Sequence, residues 1–133
     1  MRRDVYSGLL RLNGEEHEST LMAAINYAES LFNLKRFEEA KSLMRKTIPV
    51  ARRVLGTSHE YTLRMRWLYS VALYRDDGAT LDDLREAVTT LEETERTARR
   101  VLGGAHPTAE WIAKELHFSR AALRARETPS PSA

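Results

Sequence analysis

Cysteine is absent from the 133 residues. Disulfides, thiolate metal sites and cysteine nucleophiles are therefore excluded. Proline occurs four times and glycine six times, too few for a linker-rich or low-complexity chain. Neither sign of charge dominates: 21 Lys and Arg stand against 19 Asp and Glu, a net of +2. That balance argues against an acidic tail and gives little support to nucleic-acid binding. No apolar run approaches the roughly 18 residues of a membrane span. The start, Met1 to Tyr6, is basic but has no apolar core or small-residue cleavage site of the kind a signal peptide carries. What is present is ordinary for a single compact domain, with 42% hydrophobic and 30% charged residues. A cytoplasmic protein without a membrane anchor is the expectation.

The chain repeats itself. Leu12-Asn13-Gly14-Glu15-Glu16-His17-Glu18, Leu55-Gly56-Thr57-Ser58-His59-Glu60 and Leu102-Gly103-Gly104-Ala105-His106-Pro107 are alike. His17 to His59 is a step of 42 and His59 to His106 a step of 47. Val50-Ala51-Arg52-Arg53-Val54-Leu55-Gly56 returns as Thr97-Ala98-Arg99-Arg100-Val101-Leu102-Gly103. Periods of this size mark stacked structural repeats. The second unit's extra five residues are expected in the turn-rich stretch Arg75-Asp76-Asp77-Gly78-Ala79-Thr80-Leu81, since insertions in surface loops cost little.

Apolar residues recur in steps of three and four, as at Leu21, Ala24, Ala28 and Leu31, or Phe37, Ala40, Met44, Ile48 and Ala51. This is the helical period; no stretch alternates with the strand period. Helices are predicted over residues 18–34, 37–54, 59–75, 80–102 and 107–126, with 1–12 as the remnant of a preceding second helix. Gly56 and Gly103 suit positions just past helix ends, and Pro107 suits a first helical turn. Thr80 with Asp83 reads as a capping box. Glu92 with Arg96 and Glu95 with Arg99 read as i,i+4 ion pairs. Pro49 interrupts a helical pattern and predicts a kink.

A helical pair of about 42 residues ending in Leu-Gly-x-x-His resembles the tetratricopeptide repeat of the kinesin light chain type. Asn26-Tyr27-Ala28-Glu29-Ser30-Leu31 followed by Phe37-Glu38-Glu39-Ala40 carries the resemblance. Arg66, Ser70 and Arg120 depart from it. The resemblance implies an all-α, right-handed superhelix of about five helices. It would occupy residues 1–126, with 1–13 a remnant, 14–56 the first repeat, 57–103 the second and 104–126 a half repeat. Residues 127–133 would form a disordered tail.

The resemblance further implies a protein-interaction module whose first helices line a concave groove. Carried over position by position, that groove comprises Met22, Ile25, Asn26, Glu29 and Asn33, then Arg64, Trp67, Leu68, Val71 and Arg75, then Trp111, Lys114, Glu115, Phe118 and Ala122. Trp67, Leu68, Val71, Trp111 and Phe118 would give apolar contact to a peptide or helical segment. Asn26 and Asn33 would hold its backbone, and Arg64 and Arg75 would attract acidic residues. A self-associating scaffold is the alternative, because both ends of the repeat array leave apolar helix faces.

Chemistry finds no foothold. His17, His59 and His106 share one repeat position, which points to a helix-start role rather than to catalysis or metal binding. His59-Glu60 lacks the second histidine of a zinc-protease motif, and no phosphate-binding loop or nucleophile elbow occurs. The expectation is no enzyme, no cofactor, no metal, no small-molecule substrate and no membrane partner. The pairs Arg52-Arg53 and Arg99-Arg100 read as solvated faces of second helices, so nucleic acid is not the expected partner.

Overall fold

The computed structural model describes residues 2–14 and 17–127. The expected tail at 128–133 lies outside them. Among the described residues six helices follow one another: α1 (Arg2–Asn13), α2 (Glu18–Asn33), α3 (Phe37–Val54), α4 (Glu60–Arg75), α5 (Leu81–Leu102) and α6 (Pro107–Glu127). No strand occurs among the described residues. The sixth helix beyond the expected five is α1, the remnant itself. Consecutive helices pack side by side, and α2 touches α4 while α4 touches α6. The result is a layered α-solenoid, with α2, α4 and α6 forming one layer.

The repeated histidines explain how each first helix begins. His17 and His59 are N-caps, their Nδ1 atoms accepting from the N–H of Ser19 and Tyr61 at 3.1 and 3.0 Å. His106 Nδ1 accepts from Thr108 N–H at 3.1 Å. The ring thus does the work usually given to Ser or Asp, satisfying one amide left over at the helix start. Just ahead of each histidine the chain turns through Gly14, Gly56 or Gly103, with φ of 80, 97 and 90°. Glycine reaches that half of φ space without steric penalty.

α5 begins with the expected capping box. Thr80 Oγ1 accepts from Asp83 N–H, and Asp83 Oδ2 accepts from Thr80 N–H. This box corrects the placement of the five-residue insertion. Leu84 is the repeat equivalent of Phe37, where α3 starts, yet α5 starts at Leu81. Three extra residues are drawn into the helix by its cap, and only the rest lengthen the loop. α3 runs on through Pro49, which is solvent-exposed.

One core cluster joins α1, α2, α3 and α4 around Leu21, Ile25, Met44 and Met65. A second joins α4, α5 and α6 around Leu63, Leu91 and Ile112. The two departures in α4 are accommodated. Arg66, 6% exposed, reaches Glu93 at 2.9 Å, and Ser70 donates to Arg66 O at 2.8 Å. Burial, together with the like charge of Arg52, lowers the Arg66 pKa. Arg120 is exposed and pairs with Glu92 at 2.9 Å. The expected Glu92–Arg96 pair is thus replaced by a contact between α5 and α6, whereas Glu95–Arg99 forms at 3.3 Å. No helix among the described residues is long and apolar enough to cross a membrane.

Candidate functional site

A cavity of about 290 Å³ opens along the α2–α4–α6 layer. It is lined by Glu29, Phe32 and Asn33 of α2, Trp67, Leu68, Val71 and Arg75 of α4, and Trp111 and Glu115 of α6. No second helix contributes a lining residue. A cavity of this size can hold one or two side chains of a partner.

Its apolar surface comes from helical spacing. Trp67 and Val71, four apart on α4, share a face. Trp111 of α6 stacks on Trp67, centroids 6.2 Å apart and planes inclined by 23°. Val71 is 3% and Leu68 8% exposed, so they form the floor, whereas Trp111 is 50% exposed and forms the rim. Trp67 is half-buried against the second core cluster, and its Nε1–H is buried with no acceptor among the described residues.

The polar lining is charged but internally matched. Arg64 Nη2 meets Glu29 Oε1 at 2.7 Å, and Arg75 Nη2 meets Glu115 Oε1 at 2.8 Å. Glu115, 4% exposed, also accepts from the Tyr74 hydroxyl. Burial and that bond to a carboxylate hold the Tyr74 hydroxyl firmly protonated. Arg75 lies over the rings of Phe32 and Tyr74 at 5.5 and 5.7 Å, a favourable cation–π geometry. These links tie α4 to α2 and α6 and leave both groove arginines paired.

The expected groove residues do not all meet in one place. Glu29, Asn33, Trp67, Leu68, Val71, Arg75, Trp111 and Glu115 come together at the cavity. Arg64 stands beside it through Glu29. Met22 and Asn26 instead line a separate notch against α1. Lys114 lies over Trp111, 5.3 Å from the ring centroid, in a shallow hollow with Pro107 and Glu110. Phe118 is 43% exposed next to His117 and outside the cavity lining. Ile25 presents no surface at all: it is fully buried in the first core cluster. Its repeat equivalent is Trp67, and the indole's greater reach explains the difference in exposure. Phe32 is the lining residue the groove expectation omits; its repeat partner Tyr74 lies beside the same cavity, and an aromatic at both positions is the signal that marks it.

No curated protein matches the chain. Residues 20–61 match the family model described as a tetratricopeptide repeat. That span runs from the first turn of α2 through α3 to the start of α4. It covers one full helical pair, on which the remaining helices stack in the same register. The chain thus carries, over α2 and α3, a stretch similar to a tetratricopeptide repeat.

Proposed function

We propose that this chain is a protein-interaction module that holds a peptide or helical segment of another polypeptide against the α2–α4–α6 wall. Tetratricopeptide repeats are in general protein-interaction modules without catalytic function, and the proposal adds the place and the chemistry. The observation that carries it is Trp111, half-exposed and stacked on Trp67 at the edge of a cavity with an apolar floor. Tryptophan is among the side chains enriched where binding energy concentrates. Asn33, exposed in the same lining, offers both a donor and an acceptor to a passing backbone.

The paired arginines change the kind of partner expected. Arg64 and Arg75 are neutralised by Glu29 and Glu115, so a partner's carboxylate would first have to displace an internal one. A neutral, apolar segment fits this wall better than an acidic one. The test is a peptide selection on the immobilised protein. Enriched peptides should carry bulky apolar side chains and bind with weak salt dependence, and Trp111→Ala should weaken them by an order of magnitude. Enrichment of acidic peptides whose binding collapses with salt would contradict the reading.

A further inference from the structure

The three first helices open on the same atom of the same residue. Nδ1 of His17, His59 and His106 accepts from the N–H two residues on, at 3.1, 3.0 and 3.1 Å. The backbone carbonyl of each histidine accepts from the N–H four residues on, in Leu21, Leu63 and Glu110. An Nδ1 that accepts must hold a free lone pair, so the neutral ring carries its proton on Nε2. A serine hydroxyl or an aspartate in this place would go on accepting through mild acid. An imidazole stops: once protonated, both of its nitrogens are donors and neither can accept. The protonated ring also sets a positive charge on the positive end of the helix dipole. Histidine is the side chain whose charge ordinarily changes between about pH 5 and pH 8.

These caps are confined to one layer. α5 is capped by Thr80 and Asp83, and α3 by no side-chain hydrogen bond. The helices that depend on an imidazole, α2, α4 and α6, are those that line the cavity. The fourth histidine, His117, lies exposed in the middle of α6 and starts no helix.

The charged groups around the caps titrate elsewhere. α1 meets His17 with the apolar Val5 and Leu9, and Glu18 of α2 lies in the same hollow as Tyr61 at the start of α4. α3 ends in Arg52 and Arg53 just ahead of the turn to His59, whose own helix adds Glu60 and the Tyr61 ring, centroids 5.0 Å apart. Glu60 accepts from the Thr108 hydroxyl at 3.2 Å, which brings an α4 carboxylate to the start of α6. α6 adds Glu110, and Arg99 of α5 lies against Gly104, two residues ahead of His106. Carboxylates and guanidinium groups ordinarily change charge outside the histidine range, so the rings are what respond within it.

We propose that mild acid releases the caps of α2, α4 and α6 together, making the first-helix layer a proton-sensitive element of the fold. Trp111 stands on the second turn of α6, five residues past His106. Uncapping α6 therefore loosens the turn beside the cavity rim. If the wall binds a partner as proposed above, acid weakens that binding; the release of the caps does not rest on that reading.

The test is urea unfolding of the intact protein at about pH 8 and about pH 5, the two ends of the histidine range. Wild type is compared with a triple variant, His17→Ser, His59→Ser and His106→Ser, whose serines cap without titrating there. Each lost cap should raise the unfolding constant about fivefold. Three distant caps together give about a hundredfold, a loss that wild type suffers on acidification and the triple variant does not. His117→Ser should keep the wild-type pH dependence. Should the triple variant fail to fold, His106→Ser alone carries the comparison, with an expected difference of about fivefold. Parallel pH dependence in wild type and the capping variants overturns the proposal, as does an acid sensitivity that disappears with His117→Ser.

Discussion

Trp67 of α4 and Trp111 of α6 stack at 6.2 Å across the seam between two first helices, one ring half-buried and the other half-exposed. The pair therefore has two separable tasks. Trp67→Ala removes packing from the second core cluster and should cost about 2–4 kcal/mol. Trp111→Ala removes a ring that is half in water and should cost about 1 kcal/mol. Urea denaturation of the two variants checks the ranking, and equal losses would mean that Trp111 is a core residue.

Glu115 is a buried carboxylate held by Arg75 and the Tyr74 hydroxyl. Glu115→Ala leaves two polar groups facing a low-dielectric site and should lower stability by about 2–3 kcal/mol. Glu115→Gln keeps a hydrogen-bond acceptor and should lose less. Thermal denaturation of both variants at neutral pH measures the difference.

Arg66 occupies a position that is Ala24 in the preceding repeat, buried and facing the like charge of Arg52. Exchanging it for an apolar side chain of similar length removes a desolvated charge. Arg66→Met should leave Tm unchanged or raise it, whereas Glu93→Ala, which leaves Arg66 with the repulsion alone, should lower it. A fall in Tm for Arg66→Met alone would show the ion pair to be a net stabiliser.

The capping box at α5 predicts a pH dependence. The backbone N–H of Thr80 donates to Asp83 and holds its carboxyl below the ordinary aspartate pKa. Its contribution is complete above the ordinary range and is lost as the pH falls through the lowered, folded-state pKa. Asp83→Asn should therefore be less stable than wild type at neutral pH, with the gap closing in acid. Thr80→Ala should cost about 1 kcal/mol at neutral pH. Stability curves against pH for the Asp83 pair of proteins check the sign.

Gly56 has φ of +97°, and a Cβ built there meets no atom within 4 Å. The cost of Gly56→Ala is then backbone strain alone, about 1–2 kcal/mol. The adjoining His59 cap should be preserved, so helix content by circular dichroism should not change.

Helix positions were legible because two signals coincide in each unit: a three–four apolar period inside the helix, and a glycine with a histidine or proline three or four residues later at the boundary. The start of α5 was legible from its cap, Thr80 with Asp83, three residues ahead of the repeat equivalent; repeat spacing alone missed only that part of the five-residue excess lengthens the helix rather than the loop. The groove was legible in part for a different reason. Register assigns a position to a wall but not the reach of its side chain, so Ile25 and Trp67, equivalent in sequence, end respectively inside the core and at the cavity. Register is equally silent on pairing: Arg64 and Arg75 stand where an acidic ligand would find them, and Glu29 and Glu115 reach them first.

The most direct test of the binding wall is isothermal titration of peptides selected on the wild-type protein against three proteins: wild type, Trp111→Ala with Asn33→Ala, and Arg100→Ala on the exposed face of α5. The account predicts that the double variant loses affinity by an order of magnitude or more, that Arg100→Ala binds as wild type, and that all three keep the same helix content. Equal affinity for the wild type and the double variant would contradict it.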